Sequence, residues 1–105
     1  DSVKSRGLGD VYKRQGRGYA KGQIGDNKGA IIDFTKAIEL NPDDSYSFFG
    51  RGVINKISGN YDLACDDWIK SSDLGYEHAD KKANECKNTA NVKKNIQELL
   101  SSQNY

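Results

Sequence analysis

The stretch GAIIDFTKAIELNP, residues 29–42, decides the fold. Its apolar residues recur with the period of an α-helix and form one face: Ala30, Ile31, Phe34, Ala37, Ile38 and, as a further candidate, Leu40. Asp26 or Asn27 is placed to cap the start of this helix by accepting a backbone N–H bond. Asn41-Pro42 ends it, because proline disfavours the helical conformation in the residue before it.

The same pattern returns after 34 residues without a gap. The matched pairs are Arg17 and Arg51, Gly18 and Gly52, Gly25 and Gly59, Ala30 and Ala64, Asp33 and Asp67, Phe34 and Trp68, Lys36 and Lys70, and Leu40 and Leu74. Each copy reads as two helices around a turn at Gly25 or at Gly59-Asn60, where glycine suits the left-handed conformation. In the second copy the predicted helices are SYSFFGRGVINKIS (45–58) and YDLACDDWIKSSDL (61–74).

Residue size follows the same repeat. Small residues recur where the two helices of a copy must approach closely: Gly18, Ala30, Gly52 and Ala64. Large residues, Phe34 and Trp68, are expected to fill the space beside them.

These features together resemble the tetratricopeptide repeat. The 34-residue helix–turn–helix unit has Gly at its eighth position, Ala at its twentieth, an aromatic residue at its twenty-fourth and Asn-Pro near its end. The resemblance implies an all-α solenoid of helical hairpins, with a truncated unit 1 over 16–44, unit 2 over 45–78 and a capping segment over 79–105. Three positions depart from the family pattern. The seventh, usually Leu, is Arg17 and Arg51; the seventeenth, usually aromatic, is Asn27 in unit 1; and Tyr76 stands where unit 2 would carry Pro.

The capping segment has two apolar stripes. Ala79, Ala83 and Cys86 share one helical face, whereas Val92, Ile96, Leu99 and Leu100 lie on a rotated one. The segment is therefore one helix, or two helices with a break in NTAN (88–91) and a cap at Thr89 or Asn91. A polar outer face suits the end of a solenoid, and five lysines supply it: Lys81, Lys82, Lys87, Lys93 and Lys94.

Residues 1–15, DSVKSRGLGDVYKRQ, match the family pattern poorly where the first helix of the first repeat should start. The peptide Ser5–Gln15 resembles the translation of a sequencing-library adapter that ends in a transposase recognition sequence. We expect residues 1–15 to derive from such an adapter and to stand outside the fold argument. The native sequence then starts at Gly16, inside a repeat, and further repeats are expected upstream. The alternative is a genuine short basic tail.

Composition excludes some function classes. The net charge is +1, which lacks the basic footprint expected of a nucleic-acid-binding domain. No apolar run approaches the roughly 20 residues that cross a bilayer, so membrane insertion is not expected.

Chemical motifs give little support for catalysis or for a cofactor. Gly16-Arg17-Gly18 is not a phosphate loop, because no strand precedes it. His78, Cys65 and Cys86 lack a Cys-x-x-Cys pair and make a poor zinc site, so no metal is expected. The carboxylates Asp66, Asp67 and Asp73 are expected on an exposed helical face, without a nucleophile–base pair.

Cys65 and Cys86 lie ten residues before Gly75 and ten residues after Tyr76. In an antiparallel hairpin they fall at the same height, so a disulfide is geometrically possible if the two faces agree. The alternative is two small buried hydrophobic residues. The compartment stays open: cytoplasmic by default, periplasmic or secreted if the cysteines are bridged.

The first helices of tetratricopeptide units line a concave groove that receives an extended peptide or a partner helix. The resemblance assigns six residues to that groove: Tyr19, Gln23, Tyr46, Phe49, Val53 and Lys56. It implies a protein-binding scaffold without catalysis. One alternative is that these aromatics pack against an upstream repeat or a tail. Another is a purely structural, capped end of a longer solenoid, appended to an enzyme or binding domain lost upstream.

Overall fold

A computed structural model describes the backbone of residues 2–102 and the side chains of residues 7–102. This part of the chain is built from helices: α1 (Ser2–Gln23), α2 (Asn27–Leu40), α3 (Ser45–Ile57), α4 (Tyr61–Asp73), a 3₁₀ turn (Glu77–Ala79) and α5 (Asp80–Ser102). Consecutive helices pack on one another, α1 on α2, α2 on α3, α3 on α4 and α4 on α5. The stack is elongated, 64 × 31 × 21 Å. The predicted all-α solenoid of helical hairpins is confirmed.

Short polar residues and glycines set the helix ends. Of the two candidate caps of α2, Asp26 is the one used, and it accepts a bond of 3.0 Å from the backbone N–H of Gly29. Asp44 caps α3 in the same way, through the backbone N–H of Ser47 at 3.1 Å. α2 ends directly before Asn41, as the Asn-Pro pair predicts. Three turns use glycine at positive φ, a conformation that costs glycine little: Gly25, Gly59 and Gly75.

The core consists of two small clusters, one between α2 and α3 and the other between α4 and α5. Ala30, Phe34 and Ile54 form the first, and Ala64, Trp68 and Cys86 form the second. A glycine lies against each large ring. A Cβ atom on Gly18 would stand 3.1 Å from the ring of Phe34, and one on Gly52 would stand 2.6 Å from Nε1 of Trp68. Gly50, which aligns with Gly16 at the 34-residue offset, faces Phe34 even more closely, at 2.6 Å.

α5 is one continuous helix, so the alternative of a break at 88–91 is wrong. The hydroxyl of Thr89 donates to the backbone oxygen of Glu85 at 2.9 Å, within the helix, and so does not cap a new one. The stripe of Ala79, Ala83 and Cys86 is buried, as predicted. The rotated stripe is exposed, and its four side chains keep between 50% and 63% of their surface open to solvent.

Cys65 of α4 and Cys86 of α5 are joined as a disulfide, with their Cα atoms 5.6 Å apart. Cys86 is the last buried residue of α5, since every residue from 87 to 102 is exposed. Beyond the disulfide, Thr89, Ala90 and Lys93 still line a cavity together with the start of α4, so α5 leaves the body of the protein only after Lys93.

α1 runs through the segment that the sequence assigns to an adapter. Val11 is buried there, and Nε2 of Gln15 donates to a carboxylate oxygen of Asp44 at 2.8 Å. These contacts show how the segment packs and do not test its origin, which stays a prediction, as do the unit boundaries at 44/45 and 78/79. Asp1 and residues 103–105 lie outside the described part.

Substituting Gly52→Ala should destabilise the fold, because the new methyl group would overlap the indole of Trp68. Overpacking of this kind costs about 1–3 kcal/mol, and the better helix propensity of alanine offsets up to about 1 kcal/mol of it. The matched control is Gly16→Ala, where a Cβ meets no atom within 4 Å. Urea denaturation should give a lower free energy of unfolding for Gly52→Ala and an equal or higher one for Gly16→Ala. Equal values for both variants would contradict the close packing at Trp68.

Candidate functional site

One concave cavity of about 300 Å³ lies between α1, α3 and the turn before the 3₁₀ helix. We call it the groove. Its lining is Gly18, Tyr19, Gly22 and Gln23 of α1, Phe34 of α2, Tyr46, Phe49, Gly50, Val53, Ile54 and Ile57 of α3, and Tyr76. None of these lining residues, all within the described part of the chain, carries a formal charge. The groove is therefore an apolar and aromatic surface with a few polar groups.

The structure brings five of the six predicted groove residues together there: Tyr19, Gln23, Tyr46, Phe49 and Val53. Lys56 is not part of the lining, and its side chain is exposed. Ile57 lines the groove in its place, because it follows Val53 by four residues and so shares its helical face.

Tyr76 closes one end of the groove and was missed by the sequence analysis. Its ring centroid lies 6.2 Å from that of Tyr46 and 5.3 Å from that of Phe49, and Tyr46 meets Phe34 at 6.4 Å. Edge-to-face and tilted contacts at these distances are favourable for aromatic pairs. The available signal was an aromatic residue directly after Gly75, at the position where a tetratricopeptide unit usually carries proline.

Burial raises the pKa of the Tyr46 phenol, and the neighbouring Tyr76, Tyr19 and Asp44 raise it further. The phenol therefore stays neutral well beyond physiological pH. It offers a hydrogen-bonding hydroxyl to a ligand while keeping the groove uncharged.

Charged side chains gather away from the groove, around two buried carboxylates. Asp33 is fully buried, and its oxygens lie 3.1 Å from Nη1 of Arg14, 3.5 Å from Nε of Arg17 and 3.0 Å from Nζ of Lys21. This cluster joins α1 to α2. Burial alone would raise the pKa of Asp33, but hydrogen bonds from Lys21 and Arg14 and the charge of Arg17 outweigh it and hold that pKa below its ordinary value.

The equivalent carboxylate of unit 2 is Asp67, which is 5% exposed. Its predicted place on an exposed face is wrong, because Arg51 of α3 reaches it with two bonds of 2.9 and 2.8 Å. Asn55 donates a third, at 3.2 Å. Arg51 also donates to Thr35 of α2 at 3.2 Å, so one guanidinium joins three helices. The repeat already indicated this contact, because Arg17 and Asp33 of unit 1 recur as Arg51 and Asp67 after 34 residues.

A second cavity of about 410 Å³ lies between α1 and α2. Charges of both signs line it: Asp10 and Glu39 beside Lys13, Arg14, Arg17 and Lys36. Arg14 and Arg17 already pair with Asp33, and Lys36 pairs with Glu39, so most of these charges are engaged within the protein. The groove is therefore the better candidate site.

Within residues 2–102, none of the helices combines the length and the apolar character that crossing a bilayer requires. The same residues contain no group of three or more His, Cys, Asp or Glu side chains that could hold a metal ion.

Comparison with known proteins found one match to a family model. Residues 34–66 match the model described as a tetratricopeptide repeat. The match covers the second half of α2, all of α3 and the start of α4, and so includes the predicted junction of the two units. No curated protein and no solved structure matches the chain.

Removing the buried carboxylate should change how stability depends on pH. Because the pKa of Asp33 is lowered in the fold, its contribution to stability is present above the ordinary pKa of an aspartate, near 4, and is lost as pH falls through the lower, folded value. Asp33→Asn should therefore lower the free energy of unfolding at pH 7 by about 2 kcal/mol, the order of a hydrogen-bonded charge.

The measurement is chemical denaturation at several values between pH 2 and 7, with the exposed Asp66→Asn as control. The difference between the native protein and Asp33→Asn should shrink below about pH 4. A difference that stays constant over this range would refute the role of the ionised carboxylate.

Proposed function

The chain carries a tetratricopeptide repeat, and we propose that it is a protein-interaction module whose groove binds a peptide segment or a helix of a partner, without catalysis. Tetratricopeptide repeats serve in general as scaffolds for contacts between proteins, and the family is generally non-enzymatic.

The observation that carries the proposal is the convergence of α1 and α3 on one uncharged concave surface. About 300 Å³ lies at the small end of the range for ligand sites, so it suits a few side chains of a partner. Tyrosine is enriched at protein interfaces because it buries a large ring and keeps a hydroxyl for a hydrogen bond. Three of the lining residues are tyrosines: Tyr19, Tyr46 and Tyr76.

The composition of the lining supports binding over catalysis. Its titratable groups, among the described residues, are the three tyrosines. A nucleophile with an adjacent base, the usual requirement for covalent catalysis, is not among those lining residues. The buried carboxylates Asp33 and Asp67 lie outside the groove, and cations neutralise both of them.

A mutation in the groove should weaken binding without unfolding the protein. Phe49 is a poor choice, because it also packs on the cluster of Ala64, Trp68 and Cys86. Tyr19 is better, since 57% of its surface is exposed. Its matched control is Tyr12, also on α1 and 65% exposed, which is not part of the lining.

The experiment selects binders of the chain from a displayed library of random peptides and measures their affinity for Tyr19→Ala and Tyr12→Ala. Loss of an aromatic anchor costs about 2 kcal/mol, so Tyr19→Ala should bind about 30-fold more weakly. Tyr12→Ala should bind as the native protein does. Equal affinity of the selected peptides for all three proteins would sink the groove proposal and favour the purely structural, capped end of a longer solenoid.

A further inference from the structure

The distal half of α5 carries an apolar stripe that the body of the protein leaves uncovered. Val92, Ile96, Leu99 and Leu100 recur at helical spacing, and each is at least half exposed. At 100° per residue, this stripe lies about 120° around the helix axis from Ala83 and Cys86, which pack on α4. The stripe therefore faces away from the body, and covering it requires another surface.

The groove is the matching surface in size and polarity. From Val92 to Leu100 the stripe is about 12 Å long, and from Tyr46 to Ile57 the α3 wall of the groove is about 16 Å long. An amphipathic helix that lays its apolar side chains into a hydrophobic groove is a recurrent mode of recognition. Within one chain the two surfaces belong to separate parts, since α5 packs on α4 and the 3₁₀ turn while α1 and α3 form the groove.

Charge favours an encounter between these two surfaces. Residues 87–102 hold three lysines and one glutamate, a net charge of +2. Residues 1–86 hold thirteen basic and fourteen acidic residues, a net charge of −1. Two distal helices that pair with each other would bring together like charges of +2, whereas a distal helix on the body of another copy brings together opposite charges.

The charges also favour one orientation. Acidic residues flank the lining near Tyr46 and Tyr76: Asp43, Asp73 and Glu77, all exposed. Lys56 stands at the other end of α3, beside Ile57. On the distal helix, Lys93 borders the stripe beside Val92, whereas Lys94 and Glu98 lie on the opposite side of the helix. Lys93 meets the acidic end of the groove when the bound helix runs parallel to α3, and would meet Lys56 if it ran antiparallel.

We propose that the groove's partner is a second copy of this chain, whose distal α5 lays Val92, Ile96, Leu99 and Leu100 into it. This inference rests on the proposed function, because it names the occupant of the same groove. The contact is head to tail and leaves one groove and one stripe free, so further copies add until the arrangement closes into a ring, or without limit if it does not close.

Sedimentation equilibrium of the full chain tests the proposal, with two charge insertions at exposed isoleucines. Ile57→Asp impairs the groove and Ile96→Asp impairs the stripe. Ile32→Asp is the matched control, because Ile32 is 55% exposed and belongs to neither surface. Circular dichroism of each variant verifies that the helices are retained.

The average mass of the native chain and of Ile32→Asp should rise with concentration above the 11.6 kDa of one copy. Ile57→Asp alone and Ile96→Asp alone should remain at 11.6 kDa. An equimolar mixture of the two variants should reach twice that mass and grow no further, because the intact stripe of one then meets the intact groove of the other.

Two results would overturn the proposal. If Ile57→Asp still associates and Ile96→Asp does not, the distal helices pair with each other. If the native chain stays at 11.6 kDa up to about 1 mM, its copies do not bind. Neither result touches the proposed function, which the peptide affinities of Tyr19→Ala decide separately.

Discussion

The fold depends on a buried carboxylate held by basic side chains of the neighbouring helix, which occurs once in each unit: Asp33 and Asp67. Arg51 of α3 holds Asp67 of α4 with two hydrogen bonds and reaches Thr35 of α2 with a third. The apolar clusters are small, with three buried residues each. They therefore provide only weak resistance to one helix sliding along another. The two hydrogen bonds from the Arg51 guanidinium to the buried Asp67 carboxylate fix the register, that is, the position of α3 along α4. If α3 shifted, the carboxylate would stay buried without its partner.

The groove follows from this register. With α3 fixed on α4, Gly52 lies against the indole of Trp68, and Gly50 turns toward the ring of Phe34. On α1, Gly18 lies against Phe34 of α2 and Gly22 against Ile54 of α3, and the absence of their side chains leaves the concavity open. The charged side chains form ion pairs between helices. Among the described residues, those that line the groove carry no charge. A surface of this kind selects apolar side chains, whether they belong to a foreign peptide or to another copy.

Periodicity and the 34-residue offset were sufficient to predict α2, α3, α4, their turns and the hairpin stack, because helix ends depend on local residues such as Asp26, Gly59 and Pro42. They did not predict that α1 runs through residues 2–15 or that α5 is continuous. The tilt of one helix on another was beyond that reasoning. Asp67 was therefore placed on the surface, although its recurrence with Arg51 was visible. Lys56 was assigned to the groove from its family position, whereas the face shared by Val53 and Ile57 excludes it. Tyr76 becomes part of the groove through its contacts with Tyr46 and Phe49, which no local sequence pattern indicates.

A double-mutant cycle on Arg51 and Asp67 tests the central claim most directly. The free energies of unfolding of Arg51→Leu, Asp67→Leu and the double variant are compared with that of the native chain. If the buried pair fixes the register, the two single losses should exceed the double loss by more than about 1 kcal/mol, beyond the range of exposed ion pairs. A coupling below about 0.5 kcal/mol would contradict the account, because the pair would then contribute no more than a surface contact.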